Sequence, residues 1–189
     1  MSQPSVQQDS HQASIGQIPF FRQLSSADMI ALSQVVQPMA FRSGDIIFSK
    51  GDLADGLYVL LSGKANVYLP ATNHTPKTTL KKLSPGEYFG EYALFDGEPR
   101  SASVGAVTHI ETLFLPTAAF AALLDTRKSV ARTVVNHLGN TLLDHPKAEL
   151  SDFEKELIKT SQVPPTLKYM QLFCRLLRQA NLRLAAHHP

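Results

Sequence analysis

Residues 39–70 read MAFRSGDIIFSKGDLADGLYVLLSGKANVYLP. Short apolar or alternating runs (MAF, DIIF, GLYVLL, KANVYL) are set apart by Ser43-Gly44, Gly51-Asp52, Asp55-Gly56 and Ser62-Gly63. Gly, Asp and Ser supply the backbone conformations and local hydrogen bonds that turns need. Apolar runs this short, closed by turn residues, are strands rather than helices. Beyond residue 70 the rhythm continues through TTLKKLSPG, SASVGAV and IETLFLP, with turns at Pro85-Gly86 and Asp96-Gly97. About eight short strands at this spacing predict an antiparallel sandwich or barrel.

On the N-terminal side, IPFFRQLSSADMIALSQVV predicts a short helix capped by Ser25 or Ser26. Its apolar positions are Met29, Ile30 and Leu32 to Val36, and Pro38 is expected to stop it. On the C-terminal side the period changes after Pro116. Phe120, Leu123 and Leu124, then Val130, Val134, Val135, Leu138 and Leu142, recur at helical spacing. They predict a short helix, a break near Asp125 and a longer helix ending by Pro146. SDFEKELIKTS carries Ser151 and Glu154 at capping-box spacing. After Pro164-Pro165, TLKYMQLFCRLLRQANLRLAAHH predicts an amphipathic helix. Met170, Phe173, Leu177 and Leu184 lie on its apolar face, and Lys168, Arg175, Arg178 and Arg183 on the polar one.

The fold class expected is therefore α+β: an antiparallel, jelly-roll-like β-roll of about eight strands flanked by N-terminal and C-terminal helices. Three parts are expected: a disordered tail at 1–16, rich in Gln and Ser, a folded domain at 17–145, and a helical C-terminal appendage at 146–189.

Composition narrows the function. The chain has 189 residues, 43% of them hydrophobic, which is enough for a core. A formal net charge of +2 gives no basis for nucleic-acid binding through bulk charge. One cysteine, Cys174, permits no internal disulfide and no Cys-based zinc site. Among apolar neighbours it reads as a small core residue. No signal peptide and no membrane-spanning run is visible, so a cytoplasmic location is expected. His74 and His109 stand alone, which argues against a metal-dependent cupin enzyme, and no catalytic residues or metal ligands are assigned.

Function concentrates in PGEYFGEYALFDGEPRSASV, residues 85–104. Gly90-Glu91-Tyr92-Ala93-Leu94 reads as a strand end turning into a short helix, whose free N–H groups favour an anion. Arg100 follows an Asp-Gly turn and can return to that point, where its guanidinium can grip a phosphate by paired, charge-assisted bonds. Glu91 accepts hydrogen bonds only, so it suits a sugar hydroxyl rather than phosphate. An anion clamp beside a hydroxyl acceptor fits a sugar phosphate.

These residues resemble the phosphate-binding cassette of the cyclic-nucleotide-binding domains, found in the bacterial catabolite activator, cyclic-nucleotide-dependent kinases and gated channels. The matching positions are Phe89, Gly90, Glu91, Ala93, Leu94, Pro99, Arg100, Ser101 and Ala102, and the likeness extends upstream through Gly44, Gly51-Asp52, Tyr58 and Gly63. The resemblance implies a sensor of cyclic AMP or cyclic GMP that performs no chemistry. Glu91 would accept from the ribose 2′-hydroxyl and Arg100 would pair with the cyclic phosphate. The backbone N–H groups of Gly90, Ala93 and Ser101 would complete the cradle. Tyr92 belongs to the same segment. Ser101 does not choose between the two purines, and a cyclic dinucleotide stays open. Val134, His137, Leu138 and Leu142 are candidate lid residues.

The output expected is a protein partner, or a homodimer through Val130, Val134, Leu138 and Leu142. A DNA-binding regulator of the catabolite-activator type is the alternative. It is disfavoured because two prolines sit at the helix join and Leu and Phe stand where base-contacting groups belong. A degenerate domain that binds no ligand and acts as an interaction module is a further alternative.

Overall fold

The structure is a computed structural model that describes residues 11–94, 97–146, 148–160 and 167–185. Eight strands form two four-stranded antiparallel sheets. They are β1 (Gln37–Phe41), β2 (Ile46–Phe48), β3 (Gly56–Ser62), β4 (Ala65–Leu69), β5 (Thr78–Leu83), β6 (Tyr88–Phe89), β7 (Ser103–Ala106) and β8 (Ile110–Pro116). One sheet runs β1-β8-β3-β6 and the other β2-β7-β4-β5. The continuously apolar run of β3 is buried over Gly56–Leu60 and occupies an interior position, while the Thr- and Lys-rich β5 lies exposed at an edge. Burial pattern and sheet position thus agree in these two strands. The predicted β-roll is present.

Besides a helical segment at 11–15, five helices flank it among the described residues: α1 (Ser26–Ser33), α2 (Thr117–Thr126), α3 (Lys128–Asp144), α4 (Asp152–Lys159) and α5 (Leu167–Ala185). Ser25 caps α1 by accepting from the Asp28 N–H, and Ser151 with Glu154 forms the capping box of α4. The expected break falls at Arg127, between α2 and α3.

Three expectations are corrected. First, α1 ends at Ser33 and Val35–Val36 do not extend it. Pro38 does not stop it but lies within β1, opposite Leu113, where an edge strand tolerates the missing N–H. Second, the tail does not reach residue 16. Residues 11–15 are helical, and Ile15 is 1% exposed, because Ile15 and Ile18 anchor this segment in the core. Third, the helical appendage expected at 146–189 does not pack apart from the domain at 17–145. Ile158, Met170, Phe173, Cys174 and Leu177 join one core with Phe21, Phe120, Val134 and Leu138. A second cluster fills the roll, where the ring of Tyr58 stacks on Phe89 at 5.2 Å and packs on Phe114 at 4.6 Å.

That packing also settles the proposed dimer seam. Val130, Val134, Leu138 and Leu142 are buried within the chain's own core, so α3 has no free apolar stripe for a second copy. Cys174 is a buried free thiol, as expected. Among the described residues, no helix is long and apolar enough to cross a membrane.

Candidate functional site

The site grows from the end of β6. Gly90 follows Phe89 with φ +78°, which a residue bearing a Cβ reaches only under strain. A Cβ there would stand 2.5 Å from Arg100 Nη1 and 3.2 Å from the Gly56 carbonyl oxygen. Glycine thus lets the chain turn into the 3-10 turn Glu91–Leu94 while a guanidinium passes directly behind it.

Arg100 is 5% exposed, an unusual place for a cation unless its donors are satisfied. Nη2 donates to Asp55 Oδ1 at 2.6 Å and to the Gly56 carbonyl at 2.8 Å, and Nη1 donates to the Gly90 carbonyl at 3.1 Å. The guanidinium also lies 4.0 Å over the Phe48 ring. Nε is buried and has no hydrogen-bond partner among the described residues. Arg100 is therefore held rigidly from one side with a donor left over.

These groups border a cavity of about 250 Å³. Gly90, Glu91, Arg100, Ser101 and Ala102 line it together, so the predicted anion clamp and hydroxyl acceptor share one space. Apolar surface from Val67, Leu80, Leu83 and Val104 forms more of the wall, with Lys81, Tyr88 and Glu98 beside them. A polar end joined to an apolar wall suits a ligand with a phosphate and a flat apolar body. Burial raises the Glu91 carboxyl above the usual carboxylate range, while Lys81, Arg100 and Arg178 pull against that rise. The ion pair at the site is Arg100 with Asp55 rather than Arg100 with Glu91.

The other predicted residues fall elsewhere. Phe89 lines the cavity and also stacks in the roll core. Leu94 is 1% exposed in the helix-side core and does not line the cavity. Pro99 is exposed, and its carbonyl accepts from Arg178. The side chains of Tyr92 and Ala93 lie outside the described residues. Of the candidate lid residues, Val134, Leu138 and Leu142 are buried and His137 is half-buried 6.1 Å from the Phe20 ring, and none of the four lines the cavity. Their apolar stripe is consumed by the core. Among the described residues, the C-terminal one that lines it is Arg178 of α5, whose Nη1 donates to the Pro99 carbonyl at 3.3 Å. The sequence placed Arg178 on a solvated polar face. Only its spacing one residue after the core-facing Leu177 set it at the border of that face.

Asp55 was likewise missed as a site residue. It was read as half of an Asp-Gly turn, and nothing local in the sequence tied it to Arg100.

Comparison with known proteins agrees with this geometry. Residues 38–127 match the family model described as the cyclic nucleotide-binding domain. A cyclic nucleotide-gated potassium channel from Rhizobium etli is 31% identical over 120 residues, covering 64% of this chain and 32% of the channel. A cAMP-dependent protein kinase regulatory subunit from Emericella nidulans is 29% identical over 122 residues, covering 65% of this chain and 29% of the subunit. The chain therefore spans about a third of each of these relatives. Among solved structures, the N-terminal domain of a transcriptional regulator from Streptomyces coelicolor superposes with a TM-score of 0.67 at 27% identity, over 74% of this chain and 96% of that one. Residues 38–127, with a roll and cassette of matching design, are thus similar to the cyclic nucleotide-binding domain family.

Proposed function

We propose that the cavity binds a cyclic purine mononucleotide, cyclic AMP or cyclic GMP, and that binding is passed through the C-terminal helices to a protein partner, with no chemistry at the site. The observation that carries this reading is Arg100. It is buried, lines the cavity, is fixed by Asp55, Gly56 and Gly90, and has no acceptor for Nε among the described residues. A cyclic phosphate supplies that acceptor by a charge-assisted bond. Glu91, on the same wall, accepts from the ribose 2′-hydroxyl, and the apolar wall takes the purine.

Passage of the signal is supported by the shared core. α3 packs on α4 and α5, and α5 also touches the cassette through Arg178 and Pro99. A ligand that favours one packing of these helices shifts their equilibrium by its difference in affinity for the two. A protein partner is favoured over DNA because Phe173 and Leu177 of α5 are spent in the core.

The test is isothermal titration calorimetry with cyclic AMP, cyclic GMP and linear AMP, on the native chain and on Arg100→Ala. Saturable binding of a cyclic nucleotide, lost in the variant and absent for linear AMP, is expected. A folded chain that binds neither cyclic nucleotide would refute the reading and leave an interaction module.

A further inference from the structure

A cation is set into the apolar part of the cavity wall. Val67, Leu80, Leu83 and Val104 form that wall, and Lys81 lines the cavity among them. In a regular strand Leu80 and Lys81 would face opposite sides of the sheet. Here the register between β4 and β5 shifts: Val67 pairs with Lys81 but Tyr68 with Thr79, which leaves Leu80 as an extra residue. A bulge of this kind re-aims a side chain, and both neighbours reach the cavity. The Lys81 ammonium is placed by Glu87, whose Oε1 accepts from Nζ at 2.8 Å while Oε2 accepts from the Ser84 N–H at 2.8 Å. Those two bonds hold the Glu87 carboxyl below the usual carboxylate range. An ammonium carries three donors, and the Lys81 side chain is 56% exposed, so donors remain for a molecule in the cavity.

We infer that Lys81 reads the edge of the purine and makes the site select cyclic GMP over cyclic AMP. This deepens the reading of the cavity as a cyclic-nucleotide site and rests on it. On that reading, with the phosphate at Arg100 and the ribose at Glu91, the base lies along Val67, Leu80 and Leu83, the residues that surround Lys81. Guanine presents two adjacent acceptors, O6 and N7, whereas adenine presents a donor, the N6 amine, beside N7. A group that can only donate meets two acceptors on guanine, but on adenine one acceptor and the hydrogens of an amine. Arg178 also lines the cavity, but its Nη1 lies on the Pro99 carbonyl, beside the phosphate end. Glu98, another lining residue, has the opposite chemistry and would favour the adenine amine.

Isothermal titration calorimetry tests this with cyclic AMP, cyclic GMP and cyclic IMP, which keeps O6 and N7 but lacks the 2-amino group of guanine. The proteins are the full chain, Lys81→Met and Lys81→Arg, and thermal unfolding checks that each is folded. The native chain is expected to bind cyclic GMP and cyclic IMP about five- to tenfold more tightly than cyclic AMP. Lys81→Met removes that advantage, weakening cyclic GMP and cyclic IMP more than cyclic AMP, while Lys81→Arg retains it. Native affinity for cyclic AMP equal to or above that for cyclic GMP overturns the inference. So does a preference that survives Lys81→Met. Tight binding of cyclic GMP without cyclic IMP overturns it as well, by moving the readout to the 2-amino group. An equal loss of all three ligands in Lys81→Met makes Lys81 a general attractor of phosphate and overturns it too. Each of these results leaves the nucleotide site standing. A folded native chain that binds none of the three overturns the nucleotide reading, and the purine selection with it.

Discussion

Asp55 Oδ1 lies 2.6 Å from Nη2 of Arg100, and the two side chains differ sharply in exposure, 64% against 3%. The carboxylate reaches in from the loop before β3 and neutralises a guanidinium that the fold has buried. On the proposed reading of the cavity, a ligand phosphate and Asp55 are two claimants on the charge of one arginine.

Asp55→Ala leaves that buried cation without its counter-ion. The ligand-free chain is expected to lose about 1–3 kcal/mol, because a hydrogen bond to a charged group disappears while the Gly56 and Gly90 carbonyls remain. Saturating cyclic AMP restores most of the loss, since binding stabilises the native state by mass action. Thermal unfolding with and without nucleotide checks both halves.

Gly90→Ala joins two faults at one atom. The φ of +78° costs a side-chain-bearing residue about 1–2 kcal/mol, and the added methyl would stand 2.5 Å from Arg100 Nη1. Arg100 must shift from its three acceptors, so nucleotide binding is expected to fall at least tenfold while the far-ultraviolet circular dichroism stays native. Calorimetry beside circular dichroism reads the two separately.

The roll and its cassette were legible because local sequence dictates them. Turn residues between short apolar runs fix strands, and the Phe89–Ala102 segment carries its own turn, helix start and cation. What escaped depends on contacts between distant segments. Asp55 and Arg100 meet only because the loop before β3 lies beside the cassette. Val134 and Leu138 read as lid or dimer seam because helical spacing shows that a face is apolar, not what covers it. The cover is partly α5, whose Phe173 and Leu177 were legible as apolar and whose destination was not. Arg178 looked like surface for the same reason.

His137 gives a pH dependence of stability. Its burial holds the imidazole below its ordinary 6.5, with the nearby positive charge of Arg22 acting in the same direction. The unfolded chain therefore takes up a proton here at higher pH than the native chain does. The contribution is fully present well above 6.5 and is lost as pH falls through 6.5 toward the lower native value. Denaturant titrations between pH 8 and pH 5.5 should show stability dropping across this window, and His137→Phe should flatten the drop. An equal drop in the variant would assign it to other groups.

Gly139 is where the three C-terminal helices meet. It lies buried on α3, and a Cβ there would stand 2.9 Å from Ile158 Cγ2 of α4 and 3.3 Å from Phe173 Cε2 of α5. A glycine inside a helix costs about 1 kcal/mol relative to alanine, so its presence marks close approach. Gly139→Ala recovers that propensity but sets a methyl against the stiff, buried Ile158 and against the Phe173 ring, both of which must give, so a net loss of stability is expected. Gly139→Val adds two further methyl groups against side chains already in contact, and overpacking of this kind costs about 1–3 kcal/mol. The roll, with its own aromatic cluster around Tyr58 and Phe89, does not share that contact. Hydrogen exchange should therefore quicken in residues 152–159 and 167–185 of the Val variant while strands β3 and β8 keep their protection. If α5 is the element that carries the ligand signal, the same variant binds cyclic nucleotide at the cassette but no longer slows exchange in α5 on binding. Loss of protection throughout the roll would instead mean that the two cores unfold as one unit.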